Sequence, residues 1–228
     1  IYQVYNMEND EKREWKAEVK AVKAYYYFEL VRRYGPIILV PESRDPNIDV
    51  EDMKEPRSHV DSCFSAIVRL CDEAADSLRP SSSQESSRRA YFSKEAVLAL
   101  KARALLYQAS DLFNGNPDYA NFVNRNGEPL FSAVKDKEKW RLAAEAAEEA
   151  IRIATENGKR LIDDEVGNTD LQTTMLNIER SVQAYGFSND EVLWMIKRYN
   201  NGSNGAQFYY YTVPRIKDDP YGYNTGTC

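Results

Sequence analysis

The sequence contains one histidine and three cysteines among its 228 residues. The single histidine, His59, excludes a His-rich metal cluster and removes most acid–base schemes that depend on imidazole. Cys63 and Cys71 lie in a helical pattern about 12 Å apart along the axis, which is too far for a disulfide. Cys228 is the last residue and has no evident partner. The sequence therefore predicts no metal site, no disulfide framework and no cofactor.

Basic surface and long apolar runs are also scarce. The net charge of −6 and the pI of about 5.1 argue against binding to nucleic-acid phosphates, because that binding needs a basic face. Lys101 and Arg103 interrupt the longest apolar stretch, 96–106, so no segment has the length of a membrane span. The chain has no signal peptide and begins with Ile1, so we expect a processed product or an internal fragment, and the destination of the intact protein stays open.

Four segments have the periodicity of amphipathic helices. The first ends at Gly35 and Pro36 and is followed by an apolar run, 37–40, which we expect to pack against it in extended form. The second is predicted over about 59–78 with Ser58 as N-cap, the third begins at Ser93, and the fourth covers about 137–157. The residues predicted to form the buried stripes of the first and fourth helices are Ala17, Ala21, Ala24, Phe28 and Val31, and Trp140, Ala144, Ala147, Ile151 and Ala154. Dense alanine favours close helix packing, as in stacked helical hairpins.

The character of the sequence changes after Leu161. Residues 191–197 are the best strand candidate, with a short buried helix as the alternative. From Tyr199 onward the chain is rich in Gly, Asn, Pro and Tyr and has no helical period, which indicates loop with at most short strands. We therefore divide the chain into a helical scaffold, 1–162, and a loop-rich segment, 163–228, in which a ligand subdomain begins.

Tyrosine is the most informative residue type, with sixteen copies. Tyr25, Tyr26 and Tyr27 lie within the first helix and point to different faces, so we interpret them as packing residues, at least one of them buried. Aromatic rings with a polar tip suit stacking on sugar rings or on a peptide. The predicted ligand-binding residues are Tyr199, Asn201, Tyr209, Tyr210, Tyr211, Tyr221 and Tyr223. Core packing of a loop-rich subdomain is the alternative interpretation of these tyrosines.

Motifs for catalysis or nucleotide binding do not occur in the sequence. It has no G-x-S-x-G nucleophile elbow and no G-x-G-x-x-G or Walker pattern. A glycosidase needs only two carboxylates, however, and a sequence cannot pair distant ones, so a hydrolase stays an open alternative. Asp111, Asn114, Asn116 and Asp118 offer oxygen ligands, but their spacing differs from that of an EF-hand and turn formation explains them as well. We predict a protein that is not an enzyme.

Several stretches of the sequence resemble the motifs of one protein family, and they occur in the same order as those motifs. Residues 18–41 read EVKAVKAYYYFELVRRYGPIILVP and resemble the pattern E-A-R-F-L-R-A-Y-Y-Y-F-x-L-V-R-x-Y-G-x-V-P-L-V of the SusD/RagB family of outer-membrane nutrient-binding proteins. Residues 60–80, 94–107, 140–151 and 189–194 resemble its later motifs in the same order. The matched motifs are scaffold helices, so no binding residue is carried over to this chain.

The resemblance implies a mainly α, tetratricopeptide-like scaffold of helical hairpins with a loop-rich ligand subdomain. It implies an intact protein that is lipid-anchored on the extracellular face of the outer membrane, binds oligosaccharides and passes them to a SusC-like TonB-dependent transporter. A peptide-binding member of the same family and a helical-repeat protein–protein scaffold are the alternatives. No nucleic-acid partner is expected, and membrane contact is expected only through an anchor that this chain does not contain. Since the family also has a long C-terminal part, we expect this chain to be a portion of a longer protein.

Overall fold

The described part of the chain is built from four α-helices. The computed structural model describes residues 4–40, 47, 49, 54–84, 88, 90–161 and 190–194. The helices are α1 (Asn9–Tyr34), α2 (Val60–Ala75), α3 (Lys94–Ala109) and α4 (Glu138–Glu156). Short 3-10 turns occur at Ser81–Ser83 and Pro117–Tyr119, and one isolated antiparallel bridge joins Val123 to Pro129. Within these residues no strand forms, and the predicted mainly α, tetratricopeptide-like fold class is confirmed.

Each helix packs chiefly against the next one in the sequence. α1 contacts α2, α2 contacts α3, and α3 contacts α4, whereas α1 and α3 touch only slightly. Phe28 of α1, Phe64 and Ile67 of α2 and Val97 of α3 are almost completely buried at the centre of this stack. Burial of such side chains stabilises the fold by about 1.5–3 kcal/mol each. The arrangement is that of helical hairpins placed side by side.

The first helix behaves as its sequence pattern predicts. The predicted stripe from Ala17 to Val31 is buried, and the helix ends where Gly35 adopts a positive φ of 71°. The Gly35 N–H donates to the Val31 carbonyl at 2.8 Å, which closes the last turn. The following apolar run packs against α1: the Tyr27 hydroxyl lies 3.0 Å from both the N–H and the carbonyl of Val40. This confirms the predicted packing of residues 37–40.

The N-caps of α2 and α3 differ in how well the sequence indicates them. Ser93 caps α3 as predicted, because its Oγ accepts a hydrogen bond from the Ala96 N–H at 3.2 Å. The prediction of Ser58 as the cap of α2 is wrong. His59 takes that position, and its Nδ1 accepts from the Asp61 N–H at 3.1 Å. A neutral imidazole nitrogen is an acceptor of the same kind as a serine oxygen, although histidine is an unusual choice at a cap.

The predicted buried stripe of α4 is wrong in most of its members. The buried side chains of α4 belong to Lys139, Ala143, Ala146, Ala150 and Ala154. Trp140 is 45% exposed and Ile151 is 67% exposed. α4 carries two apolar arcs about a quarter of a turn apart, and the periodicity of the sequence does not distinguish between them. The arc in which four of the five buried residues are alanines packs on α3, because small side chains let the two backbones approach closely.

The chain divides into two units, Ile1–Met195 and Ile196–Cys228, and every described residue lies in the first. Residues 191–194 form neither strand nor helix, so the predicted strand is absent from this part, and 195–197 lie outside the described residues. The Trp194 ring stacks on Phe92 with 4.3 Å between centroids, and its Nε1 donates to the Ala90 carbonyl at 3.1 Å. This segment therefore packs on the helical unit. The division at 162/163 stays a prediction.

Candidate functional site

The predicted ligand-binding residues from Tyr199 to Tyr223 all lie outside the described residues and stay predictions. The other tyrosine cluster lies on α1, where Tyr25 and Tyr27 are half-buried and Tyr26 is 62% exposed. The expectation that at least one of these three is buried is met only in part, because the buried position of this turn belongs to Phe28. Their interpretation as packing residues holds for Tyr25 and Tyr27, which pack against the core, and the Tyr25 ring meets the Trp194 ring edge-on at 5.1 Å.

Between α3 and α4 the chain makes a long excursion, residues 110–137, which we call the α3–α4 connection. Asn114, which is only 1% exposed, holds its two ends together. The Asn114 Nδ2 donates to the carbonyl of Asp136 at 2.8 Å and to that of Ala109 at 3.3 Å. Its Oδ1 accepts from the Asp136 N–H at 2.8 Å. One buried amide thus satisfies three backbone groups, and long connections ordered in this way frequently carry function.

Gly115 lets the two ends approach even more closely. Its φ is +72°, and a Cβ built on it would lie 2.5 Å from the backbone N of Lys135. Only glycine fits a positive φ and a backbone contact of this kind without strain. The Asn114–Gly115 pair therefore fixes the base of the connection.

Aromatic side chains form a small core beneath the connection. Tyr119 stacks on Phe131 with 4.6 Å between ring centroids, and Phe113 lies 6.4 Å from Phe131. Phe64 of α2 meets Phe113 edge-on at 5.2 Å, so this small core is continuous with the core of the helices. The connection is therefore an ordered part of the scaffold.

The outer surface of the connection presents an aromatic ring among polar groups. Phe122 is 41% exposed and Val123 is 47% exposed, and Asn121 and Arg125 are exposed beside them. The turn that carries them is held by Asn124, whose N–H donates to the Glu128 carbonyl at 2.8 Å and whose Nδ2 donates to the Arg57 carbonyl at 2.8 Å. A half-exposed ring with amide and guanidinium neighbours can stack on a sugar and donate hydrogen bonds to it. Sequence reasoning missed this surface, although the run of aromatic residues within a long loop was a usable signal.

Partly buried polar contacts join α2, α3 and α4 to one another. The Asp61 Oδ1 accepts from Lys139 Nζ of α4 at 2.5 Å and from Gln108 Nε2 of α3 at 2.9 Å. Lys101 Nζ lies 2.8 Å from Asp72 and 3.2 Å from Glu149. Burial alone would lower the pKa of Lys101, but the two carboxylates raise it above its ordinary value. These charged groups therefore form ion pairs between the helices.

The cysteine thiols and the Glu18 carboxyl group are buried within the scaffold. Burial raises the pKa of the Cys63 thiol and raises that of Cys71 to about 12, so both stay protonated near neutral pH. Burial also raises the pKa of Glu18, against the opposing effect of the Phe92 N–H that its carboxylate accepts. Among the described residues no three His, Cys, Asp or Glu side chains converge as a metal site would require. The Asn116 Oδ1 accepts from the Asp118 N–H at 3.0 Å, as the turn interpretation predicts.

None of the helices in the described ranges combines the length and the apolar character needed to cross a membrane.

Comparisons with known proteins agree with this architecture. The model of a SusD-like family, described as "Starch-binding associating with outer membrane", matches residues 3–106. The solved structure of BT4246 is 30% identical, with a TM-score of 0.69 over 84% of this chain and 36% of its own. Its selenomethionine form is 28% identical, with a TM-score of 0.68 over 87% of this chain and 36% of its own.

A SusD-like protein of Bacteroides fragilis NCTC 9343, BF3747, shares the fold. It is 20% identical, with a TM-score of 0.60 over 87% of this chain and 30% of its own. No curated protein sequence matches the chain.

The four stacked helices and their long ordered connection define a tetratricopeptide-like scaffold of the kind found in SusD-like proteins. The chain belongs to the SusD/RagB family. It spans about a third of the length of the solved structures that it matches, 36% for BT4246 and 30% for BF3747.

Proposed function

We propose that the protein to which this chain belongs binds oligosaccharide nutrients at the bacterial outer-membrane surface without altering them chemically. The observation that carries the proposal is the match of residues 3–106 to a family described as starch-binding and associating with the outer membrane. The structural likeness to BT4246 over 84% of the chain supports it. The proposed ligand, partner and location are those of the whole protein.

Two surfaces are assigned to the ligand under this proposal. The first is the tyrosine- and asparagine-rich part of the sequence from Tyr199 to Tyr223, whose aromatic rings and amides suit sugar stacking and hydrogen bonding. The second is the outer face of the α3–α4 connection around Phe122, which the aromatic core beneath it holds in place. An ordered surface loses little conformational entropy on binding, which favours affinity.

Titration calorimetry of the chain against a panel of glycans and peptides tests the assignment. We expect binding to at least one glycan, weakened about 2- to 10-fold by Tyr209→Ala and by Phe122→Ala, because one aromatic contact contributes about 0.5–1.5 kcal/mol. Tyr5→Ala is the control, since Tyr5 is 97% exposed and is assigned to neither surface. Binding to peptides but to no glycan would favour the peptide-binding alternative, and binding to neither would contradict the proposal.

Delivery to a transporter is the second part of the proposed function. We infer that the intact protein is lipid-anchored outside the outer membrane and passes its ligand to a SusC-like TonB-dependent transporter. Mild detergent extraction followed by affinity purification of the intact protein should recover such a transporter. Recovery of the protein alone, under conditions that preserve other outer-membrane complexes, would contradict this part.

A further inference from the structure

A cleft of about 470 Å³ lies between the first turns of α1 and the end of α2, and none of its lining residues belongs to the α3–α4 connection. We call it the α1–α2 cleft. Ligand pockets in proteins have volumes of about 300–1,000 Å³, so its size is suitable for a small ligand. The residues that line it are Asp10, Arg13, Glu14, Asp76, Ser77 and Arg79.

Glu14 is the best-buried side chain of this cleft. Only 6% of its side chain is exposed, and its Oε2 lies 3.1 Å from Arg79 Nε and 3.2 Å from Arg88 Nη1. These contacts neutralise the charge, but the Oε2 accepts no hydrogen bond within the described part of the chain. The two guanidinium groups compensate the charge of this oxygen, and a well-aligned donor from a ligand would add the hydrogen bond that it lacks.

Arg88, which contacts Glu14, is itself held by aromatic side chains. Arg88 lies against two aromatic rings, with its guanidinium 4.9 Å from the centre of the Trp15 ring and 5.3 Å from that of Tyr91. Arg79 also contacts Glu14, and the Arg79 side chain is 53% exposed. A ligand in the cleft would therefore meet a carboxylate that Arg79 and Arg88 already hold in place.

Donors and acceptors alternate along the α1–α2 cleft. Arg13 Nη2 lies 2.5 Å from Asp10 Oδ1, and Arg79 lies beside Glu14, so each guanidinium is next to a carboxylate. Each hydroxyl group of a sugar can donate one hydrogen bond and accept others, so a guanidinium donor beside a carboxylate acceptor matches neighbouring hydroxyl groups. An anionic ligand is disfavoured, because both arginines already have carboxylate partners and Asp76 adds a negative charge.

We propose that the α1–α2 cleft is a subsite for one sugar residue of a neutral glycan, bound by hydrogen bonds to its neighbouring hydroxyl groups. This rests on the proposed function and adds a binding site on the helical scaffold to it.

Calorimetry of the full chain with maltoheptaose, a starch fragment, tests the subsite. We expect Asp76→Asn and Arg13→Gln to weaken binding about 3- to 10-fold each. Both residues are exposed, so neither replacement should disturb folding. Arg152→Gln is the matched control, because Arg152 forms an exposed ion pair with Glu156 on α4. Hydrogen exchange of the wild-type chain should show protection by maltoheptaose at residues 9–16 and 72–80.

The outcomes separate this subsite from the proposed function. Maltoheptaose binding that neither variant weakens, without protection at residues 9–16 and 72–80, would overturn the subsite and leave glycan binding intact. Absence of binding to maltoheptaose and to every other glycan of the panel would contradict the proposed function and the subsite together. Weakening by the two variants but not by Arg152→Gln, with protection at both segments, supports the subsite.

Discussion

Glu18 illustrates how a single buried carboxyl group connects distant parts of the chain. It lies on α1, is 8% exposed, and both of its oxygens accept the Phe92 N–H, at 3.1 and 3.0 Å. Phe92 directly precedes Ser93, the N-cap of α3, so Glu18 positions the start of that helix. Burial raises the pKa of Glu18 above 4.5 despite this hydrogen bond.

The raised pKa of Glu18 predicts a pH dependence of stability. A carboxyl group that holds its proton more tightly in the folded state stabilises that state below its ordinary pKa of 4.5, and this contribution is lost as the pH rises through the folded pKa. Glu18→Gln keeps an acceptor for Phe92 but does not ionise. Urea unfolding between about pH 4 and pH 7 should therefore show the variant gaining stability relative to the wild type as the pH rises.

Glu156→Gln is the control for this measurement, because Glu156 is exposed on α4 and pairs with Arg152. Its free energy of unfolding should not show the same upward trend relative to the wild type. Parallel curves for the wild type and Glu18→Gln would contradict the inference.

Gly115 provides a second test at a single position. Alanine there would combine the strain of a φ of +72° with a Cβ placed 2.5 Å from the Lys135 backbone N. Gly127→Ala is a matched control, since Gly127 has a φ of +81° and no atom within 4 Å of the added Cβ. We expect Gly115→Ala to lower the free energy of unfolding by about 1–3 kcal/mol more than Gly127→Ala, because overpacking adds to a shared backbone strain. Equal losses in urea titrations would show that the close approach to Lys135 costs nothing.

α4 shows most clearly why the spacing of apolar residues alone does not predict which face of a helix is buried. Its buried alanines and its exposed arc with Trp140 and Ile151 are both apolar, and both recur at helical spacing. Ala143 and Ala146 pack with Leu105 and Ala109 of α3, where a larger side chain would separate the helices.

This packing predicts a large response to an alanine-to-leucine substitution on one face of α4 and a small response on the other. Ala146→Leu should lower the free energy of unfolding by about 1–3 kcal/mol, because Ala146 is 5% exposed and faces α3. Ala144→Leu, on the exposed arc, should change it by less than about 0.5 kcal/mol. Chemical denaturation of both variants measures the difference. A larger loss for Ala144→Leu would show that the sequence-derived stripe is the packed face.

Local signals predicted much of the scaffold. The α1 stripe, the end of α1 at Gly35 and the Ser93 cap depend on neighbouring residues, so the sequence alone was sufficient to predict them. The His59 cap, the buried face of α4 and the Asn114–Asp136 contact depend on partners far along the chain or on a choice between equivalent local patterns. The surface around Phe122 was missed for the same reason, because its order comes from a long-range aromatic core.

At the scale of the whole molecule, the described helices form a series of pairwise contacts, and polar side chains add further contacts among them. Because each helix packs mainly on its neighbour, such an array could open at one end. Asp61 of α2 binds Lys139 of α4 and Gln108 of α3, and Lys101 of α3 binds Asp72 and Glu149. These contacts link three helices and favour cooperative unfolding of the set.

Thiol labelling measures that cooperativity directly. Cys63 and Cys71 of α2 are 0% exposed, and the pKa of Cys71 is raised to about 12, so neither thiol should react in the folded state. If α2 is released only by global unfolding, both cysteines should label at one rate, and this rate should rise with urea in parallel with the unfolded fraction. Mass spectrometry of the labelled peptides separates the two cysteines from Cys228. Rapid labelling of either one without denaturant, or at a rate independent of urea, would instead show that α2 opens locally while the rest of the scaffold stays folded.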